Sequence, residues 1–306
     1  MNRYSGLISD FTAIVGEENI LLNEPMSRHI SFKVGGPADI LLTPENNEAV
    51  QQVIKICSSN NIPYFIMGNG SNLIVKDGGF RGVVIKLVKL DSIKVEDNKI
   101  ICGSGALLSD VSDKALKSSL TGFEFACGIP GCIGGAVAMN AGAYISEIKN
   151  VLESALIVDR QGDIKRLSNE QMEFGYRNSY VLKNSCTVLE AVFSFEHGEY
   201  SKIKELIDDF QNRRSNKQPL EYPSAGSTFK RPEGYYTGKL IEDCNLKGYC
   251  VGGAQVSEKH SGFIINKKNA TAMDILRLIE HVQKIVHECY GVELKTEVRI
   301  IGEDAV

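Results

Sequence analysis

Glycine is unevenly distributed along this chain. Of its 29 glycines, 13 fall between positions 68 and 142, where an even spread over 306 residues would place about seven. Glycine has no Cβ, so it admits left-handed backbone and lets a second main chain or a ligand approach closely. In PYFIMGNGSNLIVKDGGFRGVVIKL (63–87) the β-rich runs YFIM, LIV and GVVIKL alternate with Gly, Asn and Asp turns. In IICGSGALLSDV (100–111) an apolar strand breaks at Gly103-Ser104-Gly105 ahead of a helix expected over about 108–119. Such a chain must end its strands in loops with accessible peptide N–H groups, and loops of that kind are candidate anion cradles.

Two of these loops carry further information. MGNGSN (67–72) begins like a dinucleotide fingerprint, but Asn72 stands where the third glycine belongs and a strand-like LIV follows in place of a helix, so a Rossmann reading fails. The region lacks Gly-Lys-Ser/Thr, which excludes a Walker phosphate loop. What remains is a donor-rich turn suited to a diphosphate, or simply a tight turn. CGIPGCIGGAVAMNAGAY (127–144) has two small-residue runs that would admit a flat or extended ligand, with Asn140 supplying an amide; the alternative is a glycine-rich packing loop. Two such loops in one domain favour a single long cofactor that contains phosphate.

The rest of the pattern mixes α and β. Helices are expected from Thr43-Pro44, over about 201–216 on the stripe Ile203, Leu206, Ile207 and Phe210, near 237–244, and over 271–290 with Thr271 and Asp274 as its cap. Residues 152–168 read as a hairpin turning at Arg160-Gln161-Gly162-Asp163, and 186–196, 249–256 and 261–266 read as strands. The polar, proline-bounded segment 212–224 is the expected domain boundary. With 34 basic against 38 acidic residues, a net charge of −4 and no basic block, the chain shows no footprint for nucleic acid or a membrane surface. The amino terminus lacks a signal-peptide pattern and no stretch approaches ~18 apolar residues, so the expected location is cytoplasmic. No obligate protein partner is evident. Eight cysteines without Cys-x-x-Cys read as reduced, mostly buried thiols, and five scattered histidines give no metal-ligand spacing.

Three charged or hydroxyl-bearing motifs remain. FGYRNSY (174–180) sets Arg177 in a polar turn, as a surface cation or as a bidentate carboxylate clamp. LKTEVRII (294–301) alternates, with Leu294, Thr296, Val298 and Ile300 on one face and Lys295, Glu297 and Arg299 on the other, which is either solvated or lines a site. YPSAGSTFKRP (222–232) places Ser227 outside any Gly-x-Ser-x-Gly elbow and without a flanking histidine, which argues against a nucleophile.

Taken in order, MGNGSNLIVKDGGFRGVVI, GIPGCIGGAVAMNAGAY, GYRNSY, YPSAGSTFKRP and TEVRIIG closely resemble the UDP-N-acetylenolpyruvoylglucosamine reductase (MurB) family, from about His29 to Gly302. The resemblance implies an α+β protein. An FAD-binding domain of the vanillyl-alcohol oxidase type would occupy 1–200, in two lobes split near 90–100, and a C-terminal α+β substrate-binding domain 201–306. It implies an enzyme of peptidoglycan precursor synthesis in which NADPH reduces FAD and UDP-N-acetylglucosamine enolpyruvate becomes UDP-N-acetylmuramate.

The same resemblance assigns residues. Gly68, Asn69, Gly70, Ser71, Asn72 and Leu73 of the first loop would contact FAD. So would Gly128, Ile129, Gly131, Ile133, Gly134, Gly135 and Asn140 of the second, together with Arg299. Arg177 and Glu297 would stabilise negative charge beside the substrate carboxylate, Glu297 donating a hydrogen bond only when protonated. Ser227 would give a proton to the carbon bearing that carboxylate, a task that demands close positioning because a serine hydroxyl is a poor acid in water. Tyr176, Lys217, Phe229, Arg231, Gln255, His260 and Asn266 are the substrate-side candidates. Arg231 stands where members often have asparagine. The span from Tyr180 to Lys217 is too short for the tyrosine-bearing insertion of the larger type, so the chain resembles the shorter type. The alternatives are an FAD-dependent alcohol or lactone oxidase of the same fold, and a nucleotide-binding sensor without turnover.

Overall fold

The computed structural model describes residues 4–144 and 146–305; Met1–Arg3, at the start of the amino-terminal stretch, lie outside them. The chain divides into two compact units, neither continuous in sequence: Met1–Leu22, Asp39–Asn69 and Gly82–Arg214 form the first, and Asn23–Ala38, Gly70–Arg81 and Ser215–Val306 the second. Segments 23–38 and 70–81 therefore group with the C-terminal residues, whereas the sequence reading kept both in a continuous 1–200 domain. The last crossing, Arg214 to Ser215, falls inside the expected boundary segment but also inside a helix.

The first unit holds two sheets. One has the strand order Ile20–Pro25, Pro37–Leu42, Phe80–Lys86, Tyr64–Met67, with its last pair parallel. Helices α1 (Ile8–Val15) and α2 (Asn47–Ser59) pack on it through Phe11, Val50, Val53 and Ile54. The sequence placed the start of α2 at Thr43-Pro44. It begins instead after Asn46, whose side chain accepts the Ala49 N–H at 2.8 Å and so satisfies one of the unpaired N-terminal donors.

The second sheet is antiparallel, in the order Ile164–Ser168, Leu152–Val158, Thr187–Ser194, Lys99–Gly103, Ile93–Glu96. Its hairpin turns where expected, and Asp159 closes the turn by accepting the Gln161 and Asp163 N–H groups at 3.0 and 2.9 Å. Helices α3 (Leu108–Lys117), α4 (Ile133–Met139), α5 (Tyr180–Lys183) and α6 (Tyr200–Lys217) surround it. Phe123, Phe125, Phe193 and Phe195 fill its core, Phe125 and Phe195 edge to face on Phe123 and Phe193 tilted against it, each contributing roughly 1.5–3 kcal/mol by burial. On α6 the stripe Ile203, Ile207 and Phe210 is buried, while Leu206 is exposed.

In the second unit the strands Ser224–Ser227, Phe263–Asn266, Ala254–Val256 and Cys250–Val251 form an antiparallel sheet, so the single strand expected over 249–256 is a hairpin. Leu73–Val75 pairs in parallel with Arg299–Ile301. Of the long final strand read from the sequence only that last piece is regular: Leu294 and Val298 are buried as expected, but Ile300 is exposed. Helix α7 (Thr237–Asp243) precedes the hairpin, and α8 (Ala272–Tyr290) follows with Ile275, Leu278, Ile279, Val282 and Val286 inward. Four of the eight cysteines are buried, two half-buried and two exposed, fewer inside than expected; burial pushes the Cys57 thiol up to about 12.

The N-terminus of α8 is capped twice. Thr271 and Asp274 form the expected capping box, and in addition the Asp77 carboxylate accepts the Ala272 and Met273 N–H groups, both at 2.9 Å. An Asp77→Ala variant is expected to lose about 1–2 kcal/mol of stability, read as a lower urea midpoint with an unchanged slope. A midpoint equal to the parent protein's would show that the Thr271–Asp274 box suffices.

Candidate active site

In the first unit three loops meet. A Cβ on Gly68 would lie 3.0 Å from the Cys132 Cβ, and the Asn69 amide donates to the Pro130 carbonyl at 3.0 Å, so the first glycine turn rests on the second loop. That loop rests in turn on residues 104–108. Ile133 N donates to Ala106 O at 2.9 Å, Gly134 N to Ser104 O at 2.8 Å and Leu108 N to Gly131 O at 3.1 Å. Two details fit a ligand with polar edges. The Ser104 hydroxyl is buried without a hydrogen-bond partner beside Gly134, and Gly135 is exposed with no atom within 4 Å of where its Cβ would be. Gly68, Asn69, Gly128, Ile129, Gly131, Ile133, Gly134 and Gly135 thus belong to one loop cluster and suit a flat, phosphate-bearing group such as FAD. Lys86, which burial brings below its ordinary pKa, lies close enough to Cys132 to interact with it electrostatically, and no motif singles it out.

The 127–144 stretch is not all loop. Residues 133–139 form α4, and Asn140 ends it in the left-handed conformation at φ 47°. Asn140 is fully buried; its amide donates to Gly175 O at 3.2 Å and accepts Lys149 N at 2.9 Å, so both polar ends are engaged inside the protein. Ser179 adds a second tie, its hydroxyl donating to Ala138 O at 2.7 Å. These two bonds fix the Arg177 turn against the end of α4. Arg177 itself has φ 52°, a conformation that costs a non-glycine residue on the order of 1–3 kcal/mol and that persists only where surrounding bonds impose it. Its guanidinium lies 5.1 Å from the centre of the exposed Tyr176 ring.

In the second unit the segments that carry Ser227 and Glu297 come together through backbone pairing. Thr228 is the node. Its N–H donates to Gly262 O, its carbonyl accepts Glu297 N at 2.8 Å, and its hydroxyl accepts Ile264 N at 3.1 Å. With the Phe229–Thr296 bridge and Lys230 N on Lys295 O, residues 228–230 run antiparallel to 295–297 and set Glu297 beside the residue that follows Ser227. Ser227 is exposed and ends a strand that carries a bulge: two residues of Phe263–Ile265 advance while three of Ser224–Ser227 do, with Gly226 at φ 73° and open space on its Cβ side. A bulge of this kind re-aims the next side chain.

The second half of the first glycine turn joins the same cluster. Asn72 donates from its side chain to Glu297 O at 3.1 Å and accepts Arg299 N on its carbonyl at 3.1 Å, while Leu73 pairs with Arg299. Ser31, absent from the sequence-derived candidates, ties this turn to the Ser227 strand: its hydroxyl donates to Ser224 O at 2.6 Å and its N–H to Gly70 O at 3.1 Å. Gly70, Ser71, Asn72, Leu73, Arg299, Ser227 and Glu297 are thus held in one unit by main-chain bonds.

The substrate-side candidates separate into two groups. Phe229, Gln255 and Asn266 are buried; the Gln255 amide donates to Gly248 O at 3.1 Å, and the Asn266 amide donates to Phe32 O at 3.1 Å and accepts Ala270 N at 2.8 Å. Tyr176, Lys217 and Arg231 are exposed, Arg231 with its guanidinium 3.9 Å from the centre of the Tyr236 ring. His260 is half-buried, which lowers its pKa, and its Nδ1 accepts Gly262 N at 3.2 Å. Between Tyr180 and Lys217 the chain runs through α5, the Thr187–Ser194 strand, the short Glu196–His197 strand and α6, with no further excursion. Among the described residues no His, Cys, Asp or Glu cluster is placed to hold a metal ion, and no helix is long and apolar enough to cross a membrane.

Two family models match the chain: "FAD binding domain" over residues 38–168, and "UDP-N-acetylenolpyruvoylglucosamine reductase, C-terminal domain" over 218–301. A UDP-N-acetylenolpyruvoylglucosamine reductase of Clostridium perfringens is 59% identical over 304 residues, covering 99% of this chain and 100% of that protein. The crystal structure of the corresponding reductase from Thermus caldophilus superposes with a TM-score of 0.78 at 32% identity, covering 92% of this chain and 97% of that one. A glucose dehydrogenase, Phl p 4.0202, is 12% identical with a TM-score of 0.52 over 64% of this chain and 44% of its own, a likeness of fold alone. By identity over its full length, and by both of its matched domains, the chain belongs to the UDP-N-acetylenolpyruvoylglucosamine reductase family, an FAD-binding domain joined to that family's C-terminal domain.

Proposed function

We propose that this protein reduces UDP-N-acetylglucosamine enolpyruvate to UDP-N-acetylmuramate, with NADPH as the hydride source and FAD as the carrier. The observation that carries the reading is the backbone pairing that sets Ser227 and Glu297 in one cluster with Gly70–Leu73 and Arg299, on a chain 59% identical to a reductase of this name. FAD, when bound, would supply the hydride-transfer chemistry between NADPH and the vinyl CH2 carbon of the substrate. Everything else falls to the chain's own side chains.

Hydride addition at that carbon builds negative charge on the neighbouring carbon and its carboxylate. Arg177, held in its strained turn by Asn140 and Ser179, supplies a fixed cation for that charge, and Glu297 in its protonated form supplies a hydrogen-bond donor. The Ser227 hydroxyl delivers the proton to the carbon bearing the carboxylate. The bulge at Gly226 fixes where that hydroxyl points, and Thr228, bonded on three sides, keeps the bulge from relaxing. The exposed Lys217, Arg231 and Tyr176 and the half-buried His260 would meet the nucleotide, and Phe229, Gln255 and Asn266 are buried. NADPH and a nucleotide sugar are cytoplasmic metabolites, which places the proposed reaction in the cytoplasm.

The purified protein is expected to be yellow, to bleach anaerobically with NADPH and to recover its colour on addition of the enolpyruvyl nucleotide. Colour that persists with NADPH, or rapid O2 consumption with a sugar alcohol and no turnover of the nucleotide, would replace the reductase by the sensor or the oxidase. Ser227→Ala is expected to leave flavin bleaching by NADPH near its normal rate and to slow reoxidation by the nucleotide by at least ~100-fold, the lower end of what a positioned general acid contributes. Equal slowing of both half-reactions would reject the proton-donor role.

A further inference from the structure

The stretch 169–217 lies outside both matched family segments, and it ends in α6. Arg214, on the last turn of that helix, is the feature of the first unit least explained by folding. Its Nε is buried with no hydrogen-bond partner, and no carboxylate among the described residues pairs with its guanidinium. Burial also works against its charge, holding its pKa below the ordinary arginine value. A half-buried cation with one buried, unpaired donor in the ligand-free fold is suited to an anion.

Its surroundings specify the kind of anion. The side chain lies along the glycine loop: a Cβ on Gly128 would come within 2.9 Å of Arg214 Cδ and 3.0 Å of its Nη1, so a side chain at 128 would shift the flexible end of the arginine. One turn earlier on α6, Phe210 stacks on Tyr144 with ring centres 3.9 Å apart and planes 7° apart, and the Tyr144 hydroxyl donates to Phe210 O at 2.6 Å. That bond and that stack hold this part of α6 against the end of the same loop. A planar guanidinium with a free Nε, resting on a loop of backbone donors, matches the paired oxygens of a phosphate.

We propose that Arg214 is a binding residue for a pyrophosphate, held across the Gly128 end of the loop. The inference rests on the reading above, which supplies two pyrophosphates: that of FAD and that of the UDP-sugar. Both present the same chemistry to a guanidinium, and binding measurements separate them.

The variants are Arg214→Met, Arg214→Lys and Gly128→Ala, the last of which displaces the arginine without removing it. Apoprotein is titrated with FAD and with riboflavin by flavin fluorescence. FAD-loaded protein is titrated with UDP by the perturbation of its flavin absorbance. If the FAD pyrophosphate is the partner, Arg214→Met weakens FAD by roughly 10- to 100-fold while riboflavin is unchanged. If the nucleotide sugar is the partner, FAD binding is normal and UDP weakens by a similar factor. In either case Arg214→Lys recovers part of the loss, Gly128→Ala reproduces it, and the unfolding midpoint of Arg214→Met apoprotein is equal to or above the parent's, because an uncompensated charge has been removed. Unchanged affinity for both ligands overturns the assignment, as does a lowered apoprotein midpoint without an affinity change. Failure of the parent protein to bind FAD or UDP would overturn the reductase reading instead.

Discussion

The second unit hangs on Thr228. All three of its polar groups are hydrogen-bonded: its N–H donates to Gly262, its carbonyl accepts from Glu297 and more weakly from Val298, its hydroxyl accepts from Ile264, and the residue is almost wholly buried. Breaking any one of them would leave a buried polar atom unsatisfied, at about 1–3 kcal/mol. Because the threonine sits between Ser227 and Phe229, its rigidity is transferred to its neighbours: the hydroxyl before it is aimed by a bulge, and the backbone of the residue after it is bridged to Thr296. The chemistry is proposed for Ser227 and Glu297, but the distance between them is set by a residue that performs none of it.

Much of this was legible in the sequence where local rules apply. The helices at 108–117 and 272–290, the Asp159–Asp163 turn and the buried stripe of α6 follow from periodicity, capping and turn chemistry. What could not be read was pairing between distant segments. Leu73–Val75 is a three-residue strand whose partner lies more than 200 positions away, and nothing in LIV announces Arg299–Ile301. Ser31 likewise acts through two carbonyls, at Gly70 and Ser224, that no motif brings together. Asn140 was singled out by its place in a glycine-rich stretch; that its amide also holds the Arg177 turn through Gly175 O at one end and accepts the Lys149 N–H at the other could not be read there.

The glycine excess also resolves into two physical causes. Gly103 and Gly105 are needed because carbonyls of Leu90 and Leu87 pass within 2.1 Å of where their Cβ atoms would be; these are close main-chain crossings with no ligand involved. Gly135, by contrast, faces open space, and Gly128 leaves room for a side chain of its own protein. A count of glycines therefore locates the loop cluster, but only the neighbours of each one tell packing from recognition.

The discontinuity of the two units bears on how the chain is made. The chain passes from one unit to the other five times. Residues 23–38 leave the ribosome early, yet the strand that Ser31 clamps, at Ser224, and the chain that Asn72 and Leu73 grip, at Glu297 and Arg299, come at the far end. At about 5–20 residues per second they wait roughly 10–50 s for those partners. A fragment starting at Ser215 would also lack both the Leu73–Val75 strand and the Asp77 cap of α8. The second unit in this sense waits on residues far along the chain, and the newborn polypeptide must keep 23–38 and 70–81 from pairing elsewhere until 215–301 arrive.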